Sequence, residues 1–385
     1  MYARAVSART DHDPTPNALT VALRAARARG RVLDLTASNP TRAGIPYPTD
    51  AILSALADPR ALAYEPEPFG LSHAREAVAR AIGADASRVV LTASTSEAYS
   101  FLFKVLCDPG DDVLVAQPSY PLFDHLARFE SVRLVPYRLA YDGAWHVDLD
   151  SLRRARTPRT RAILVVAPNN PTGSYLKRAE LDAMAAMGLP IVSDEVFAPY
   201  PLREDRARVV TALEAKDALV FSLGGLSKMA ALPQMKLGWI AVGGPREHVD
   251  DALARIELVA DAFLSVGAPV QHAAGALLET RAVAAEAIAA RTRENLAALR
   301  AAIGRDSPAS VLDVEGGWYA TIRLPRTKPE ETWALELLEE DGVYVHPGHF
   351  FDFAEEAFVV VSLLTPRADF AEGVAKIAAR ARAEM

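Results

Sequence analysis

From Arg88 to Gly244 the chain alternates short apolar runs with longer segments of helical spacing, and few folds accommodate that pattern. The runs fall at 89–92, 113–116, 132–137, 162–167, 190–192, 218–223 and 237–242. They are continuous rather than alternating, as expected of strands covered on both faces. Such an alternation predicts an α/β domain built on a mostly parallel sheet of seven strands, sandwiched by helices. Ligands in these sheets bind outside the carboxyl ends of the strands. The polar clusters that follow the runs are therefore the candidate site. Elsewhere the pattern differs. Ala-rich helical stretches occupy 245–265 and 270–304, and mixed strand and helix patterns fill 310–385. We expect a large domain over 45–280 and a smaller α+β domain formed by 1–44 and 281–385. A length of 385 residues suits two domains better than one.

The bulk properties exclude some partners. A net charge of −7 argues against a nucleic-acid surface. No apolar run approaches the ~20 residues of a membrane helix. The single cysteine, Cys107, sits in an apolar segment and reads as a packed thiol. In the absence of a secretory pattern the expected location is the cytoplasm. No metal site is expected.

Five clusters at or near strand ends carry polar chemistry. Lys228 follows the run 218–223 through Gly224 and Gly225, on a turn between two buried strands. A buried amine loses proton affinity, which suits a nucleophilic lysine, although a lysine that snorkels to solvent fits the same sequence. Ser94, Thr95 and Ser96 end a strand and open a helix, where hydroxyls and free N–H groups hold anions or simply cap. Tyr120 suits stacking on a planar ligand or core packing. Asn169-Asn170-Pro171-Thr172-Gly173 is a tight turn that can aim an amide. Asp194, directly after a buried run, needs a cationic partner, several donors or a capping role.

Together these motifs resemble the fold-type I pyridoxal-phosphate (PLP) enzymes, specifically the class I/II aminotransferases. Asn-Asn-Pro-Thr-Gly, Asp-Glu-Val-Phe, Gly-Gly-Leu-Ser-Lys and Lys-Leu-Gly-Trp occur in the order and spacing of that family. The resemblance implies an amino-group transfer between an amino acid and a 2-oxo acid through a Lys228 aldimine. A PLP-dependent lyase or cyclase, for example a carbon–sulfur β-lyase, is the alternative. It implies Asp194 on the pyridinium nitrogen, Asn170 on the phenolic oxygen and Tyr120 on the ring. Ser94, Thr95, Ser96 and Lys236 would hold the phosphate, helped by Ser222 or Ser227, which spacing does not separate. Tyr64 resembles a tyrosine that reaches the neighbouring subunit's cofactor, which implies a homodimer with shared sites.

The sequence departs from the family at three places. Lys236 stands for an arginine and loses its bidentate fork. Phe197 stands for a tyrosine and leaves the phenolic oxygen one donor short. Val360 stands where relatives carry the arginine that clamps the substrate carboxylate. Arg367 and Arg323 are the substitutes the sequence offers, with Ser38 and Asn39 in a turn that contacts the same carboxylate in relatives. His346, His349 and Trp318 are read chiefly as packing residues.

Overall fold

In the computed structural model, which describes residues 6–384, all seven apolar runs are strands of a single sheet. Residues 1–5 and 385 of the expected small domain lie outside the described residues. In chain order the strands are β1 (Val89–Thr92), β2 (Asp112–Gln117), β3 (Arg133–Tyr141), β4 (Trp145–Val147), β5 (Thr160–Val166), β6 (Ile191–Asp194), β7 (Val220–Gly225) and β8 (Gly238–Gly243). Their spatial order is β1-β8-β7-β6-β5-β2-β3-β4. The central pairs from β7 to β3 are parallel. β8 runs antiparallel to both β7 and β1.

The sheet has one strand more than expected. β4 is an antiparallel edge strand that returns from β3 through the loop Asp142-Gly143-Ala144. Gly143 adopts φ 113°, a backbone region that glycine enters at little cost. Three residues are too few to show periodicity, so the sequence does not announce this strand.

Alternate residues of each strand feed two cores, because successive side chains point to opposite faces. Val113, Leu164, Val192, Phe221 and Ile240 join one core with the helices Thr95–Leu106 and Arg246–Phe263. Leu114, Ile163, Ile191 and Val220 join the other, against Leu181 and Met184 of the helix Arg178–Ala185. A third cluster is drawn from both chain ends. It contains Leu19, Leu33 and Leu35 together with Leu299, Trp333, Val359 and Phe370. Its sheet is formed by β9 (Ser310–Val311), β10 (Tyr319–Arg323), β11 (His346–Pro347) and β12 (Phe358–Ser362), in the order β9-β10-β12-β11.

Of the hydrogen bonds that join this second sheet to the turns at the strand ends, two involve the turns that carry site candidates. The Gly316 N–H donates to the Gly173 carbonyl at 3.0 Å. A Cβ at Gly173 would meet Val314 Cγ2 at 2.3 Å and the Gly316 carbonyl at 2.6 Å, so the approach requires glycine. The Ser119 N–H donates to the Phe351 carbonyl at 2.9 Å.

Cys107 ends the helix Thr95–Leu106, its thiol partly buried. Burial and the charge of Asp111 push the thiol up to about 12. The reactive thiolate is then ~10³-fold scarcer at pH 8 than in a free cysteine of pKa near ~8.5. Alkylation of the native protein with iodoacetamide should be slower than that of the urea-unfolded chain by about that factor. Equal rates would show that the thiol is not held as described.

Candidate active site

The carboxyl ends of the parallel strands converge on a cavity of about 430 Å³. β1 ends at Thr92, and Ala93 leads to Ser94, the N-cap of the helix Thr95–Leu106. Ser94 Oγ accepts from the Glu97 N–H at 3.2 Å. Glu97 reaches back to accept from the Ala93 N–H at 2.6 Å and from the Ser265 hydroxyl at 2.6 Å. Glu97 thereby fixes the turn, while Thr95 and Ser96 border the cavity from the first positions of the helix. Ser227 and Lys236 border the cavity as well. Lys236 has φ 51° and ψ 50°, a conformation few non-glycine residues adopt and one found at functional sites. This end of the cavity combines hydroxyls, a cation and a helix N-terminus, which is the chemistry that binds a phosphate.

The other end is acidic. β6 ends at Asp194, which is buried and borders the cavity. Burial raises its proton affinity, opposed by the Val196 N–H, the Tyr99 hydroxyl and the charge of Lys228. Lys228 borders the same cavity and feels the charge of Asp194. Its amine is 5.5 Å from the Phe197 ring centre and 5.4 Å from that of Trp318. Burial lowers its proton affinity, partly offset by Asp194. An amine so placed carries a free lone pair more often than a solvated lysine does, as imine chemistry requires.

The side walls complete a slot for a flat ring. Tyr120 borders the cavity after β2 and is held edge-on by Phe123, with ring centres 5.7 Å apart. Asn170 also borders it, and its buried Oδ1 has no hydrogen-bond partner among the described residues. Asn169 instead holds the turn, donating to the Pro118 carbonyl and to Thr172 Oγ1. Glycine eases a close approach here too: a Cβ at Gly238 would crowd the Ser94 carbonyl carbon at 3.0 Å and Thr92 Oγ1 at 3.1 Å.

Several sequence expectations are corrected. Of the two serines left open, Ser227 borders the cavity and Ser222 does not. Ser222 shares a strand face with Val220, and its hydroxyl donates to Glu195 Oε2 at 2.8 Å. Neither arginine reaches the cavity. The Arg323 guanidinium lies over the rings of Tyr141 and Phe358, at 5.7 and 5.6 Å, in a separate depression beside Arg138. Arg367 opens the last helix and pairs with Glu294 outside. Ser38 borders the cavity, whereas Asn39 caps the short turn Pro40–Arg42 and accepts from Thr41. Tyr64 is 81% exposed and lines a different depression, with Glu67, Gln271 and His272.

Val360 is buried and pairs across the sheet with His346. Directly paired residues share a sheet face, and His346 borders the cavity, so Val360 lies on the cavity side where the resemblance expects arginine. His349 faces Glu330 instead. The sequence reading missed Tyr99, Tyr319, Phe350 and Phe351, the last three of which border the cavity. Their only signal is aromatic composition, since each depends on how the second sheet docks.

A sheet of this order, with a lysine, a carboxylate and an anion-binding helix end at one edge, defines a PLP-dependent enzyme of fold type I. The family model for aminotransferases of class I and II matches residues 31–377, and the chain belongs to that family. Among curated proteins it is 30% identical to the glutamate–pyruvate aminotransferase AlaA of Escherichia coli K12, over 63% of this chain and 62% of that protein. It is 31% identical to the alanine aminotransferase of Mycobacterium tuberculosis H37Rv, over 63% of this chain and 59% of that protein. The matches thus span about three fifths of these relatives' length. In fold it is similar to the alanine aminotransferase of Pyrococcus furiosus, with a TM-score of 0.85, 24% identity and coverage of 95% and 96% of the two chains.

The donor set suits PLP. A phosphate fits the hydroxyl-lined helix end, a pyridinium fits the buried Asp194, and an aldehyde fits the desolvated amine of Lys228.

Proposed function

We propose that the protein transfers an amino group between an amino acid and a 2-oxo acid. The single observation behind this reading is the placement of Lys228, a desolvated amine in one cavity with a buried carboxylate and an anion-binding helix end. When bound, PLP supplies an electron sink for the electrons released at the substrate's Cα. The rest falls to the chain. Lys228 would anchor the cofactor covalently and then carry the proton to and from Cα. Ser94, Thr95, Ser96, Ser227 and Lys236 would bind the phosphate. Asp194 would keep the ring nitrogen protonated, Asn170 would donate to the phenolic oxygen, and Tyr120 would cover the ring and exclude water. Phe197 borders the same space and has no hydroxyl to donate.

The reading includes the two-part division of the chain, 45–280 against 1–44 with 281–385. Its support is the apolar core drawn from residues 19–35 and 296–381. It also includes a homodimer in which Tyr64 serves the partner's cofactor. Exposed Leu53, Leu62 and Tyr64 near that loop support an interface there. A cytoplasmic location completes it, consistent with a lone unpaired thiol.

The substrate side of the cavity suggests which amino acids are taken. Its wall carries Ser38, Tyr319, His346, Phe350 and Phe351. Burial lowers the proton affinity of His346, which favours the neutral ring. Among the described residues bordering the cavity, the lysines are Lys228 and Lys236, both already engaged with the cofactor in this reading. No described arginine borders the cavity either, so in this reading the substrate's α-carboxylate rests on neutral donors, and a second carboxylate buried there would add a cost of several kcal/mol. Phenylalanine, leucine or alanine should therefore exceed glutamate and aspartate as donors by about 10²-fold or more in kcat/KM. A half-reaction panel followed by absorbance checks this, and an efficient glutamate reaction would refute it. Release of pyruvate and ammonia from a cysteine conjugate, without amino transfer, would instead favour the β-lyase alternative.

A further inference from the structure

Tyr99 belongs to none of the strand-end motifs, yet it touches the carboxylate on which the site depends. It lies on the buried face of the helix Thr95–Leu106, one turn in from the hydroxyl-lined end. Its phenol donates to Asp194 Oδ2 at 2.8 Å. The other carboxylate oxygen accepts from the Val196 N–H at 3.1 Å. Phe123 packs against the Tyr99 ring at 5.1 Å and 71°, and against the Tyr120 ring at 5.7 Å and 86°. A continuous set of contacts therefore runs from Tyr120, on the ring face of the slot, through Phe123 and Tyr99 to Asp194 at its edge.

A buried carboxylate stays ionised only while donors satisfy it. Among the described residues each Asp194 oxygen has one such donor, and Tyr99 supplies the side-chain one. We propose that Tyr99 is a positioning residue, whose hydroxyl keeps Asp194 charged and aimed at the cofactor's ring nitrogen. Phe123 holds the phenol in place and ties that aim to the ring-covering Tyr120. Burial and the adjacent Asp194 raise the phenol's own proton affinity, so it remains a donor at working pH. The proposal rests on the cofactor assignment above.

The test is PLP binding by apoprotein, read by fluorescence, for the wild type, Tyr99→Phe, Asp194→Asn and the double variant. Phenylalanine retains the ring and its packing on Phe123, so the fold is kept. Tyr99→Phe should weaken PLP binding by roughly 10- to 100-fold, the range for losing a hydrogen bond to a charged group. Asp194→Asn should weaken it further. Tyr99→Phe should then add nothing in the Asp194→Asn background, because it acts through that carboxylate. The visible circular dichroism of bound PLP should change in Tyr99→Phe, since ring orientation changes. Unchanged affinity in Tyr99→Phe, or effects that add in the double variant, would overturn the proposal. Additive effects would mark Tyr99 as a packing residue alone. If the wild type and Asp194→Asn bind PLP equally, or not at all, the Asp194 assignment itself fails and this proposal falls with it.

Discussion

Replacing Lys228 by alanine is expected to lower amino-transfer turnover by roughly 10⁴-fold, the upper end of what positioned acid–base catalysis contributes. In the proposed reading the amine has two tasks, covalent anchor and proton carrier, and no second described lysine shares its place. Lys236 also borders the cavity, but it sits at the hydroxyl-lined end in a left-handed turn. Borohydride treatment of the wild type with PLP should fix the cofactor on the peptide that contains residue 228. In Lys228→Ala that label should vanish. Retained turnover, or a label on another peptide, would end the assignment.

The second large effect belongs to Asp194. Asp194→Asn keeps the shape of the side chain and removes its charge. Removing one preorganised charge stabiliser typically costs ~10²–10³ in kcat, and we expect a loss of that size. Two opposing consequences meet at this residue. Burial makes the ionised form expensive in the apoprotein, so the neutral amide relieves a cost there. In the loaded enzyme, on the proposed reading, the same change removes the partner of the ring nitrogen. The variant should therefore be as stable as the wild type, or more so, without PLP, and far slower with it. Thermal melting of the apoprotein and steady-state turnover measure the two sides. Turnover within threefold of the wild type would show that the ring nitrogen does not depend on this carboxylate.

The parts of this fold that the sequence reveals are those set by local physics. Strands such as Ile191–Asp194 and Val220–Gly225 are buried on both faces, so their composition alone marks them. Lys228, Asp194 and Ser94 lie within a few residues of strand ends and take their places from the chain's own turns. What stays hidden depends on docking. Ser222 and Ser227 differ by five positions, and only the packed structure shows that Ser222 turns to Glu195. Arg323 is four strand residues beyond Tyr319, about 13 Å along the backbone, which places its guanidinium over Tyr141 and Phe358 instead of the cavity. Tyr99 meets Asp194 across a sequence distance of 95 residues, and no local pattern encodes that contact.

Two of the contacts that join the second sheet to the strand-end turns have a practical consequence for redesign. Gly173 is locked to the segment leading into Tyr319, and Ser119, next to Tyr120, is tied to Phe351. Residues that would select the side chain of an incoming amino acid are thus bolted to loops that, in the proposed reading, grip the prosthetic group. Variants chosen for a new preference at Tyr319 or Phe351 will also alter how firmly that group is held. Directed evolution of this protein should score both traits from the first round.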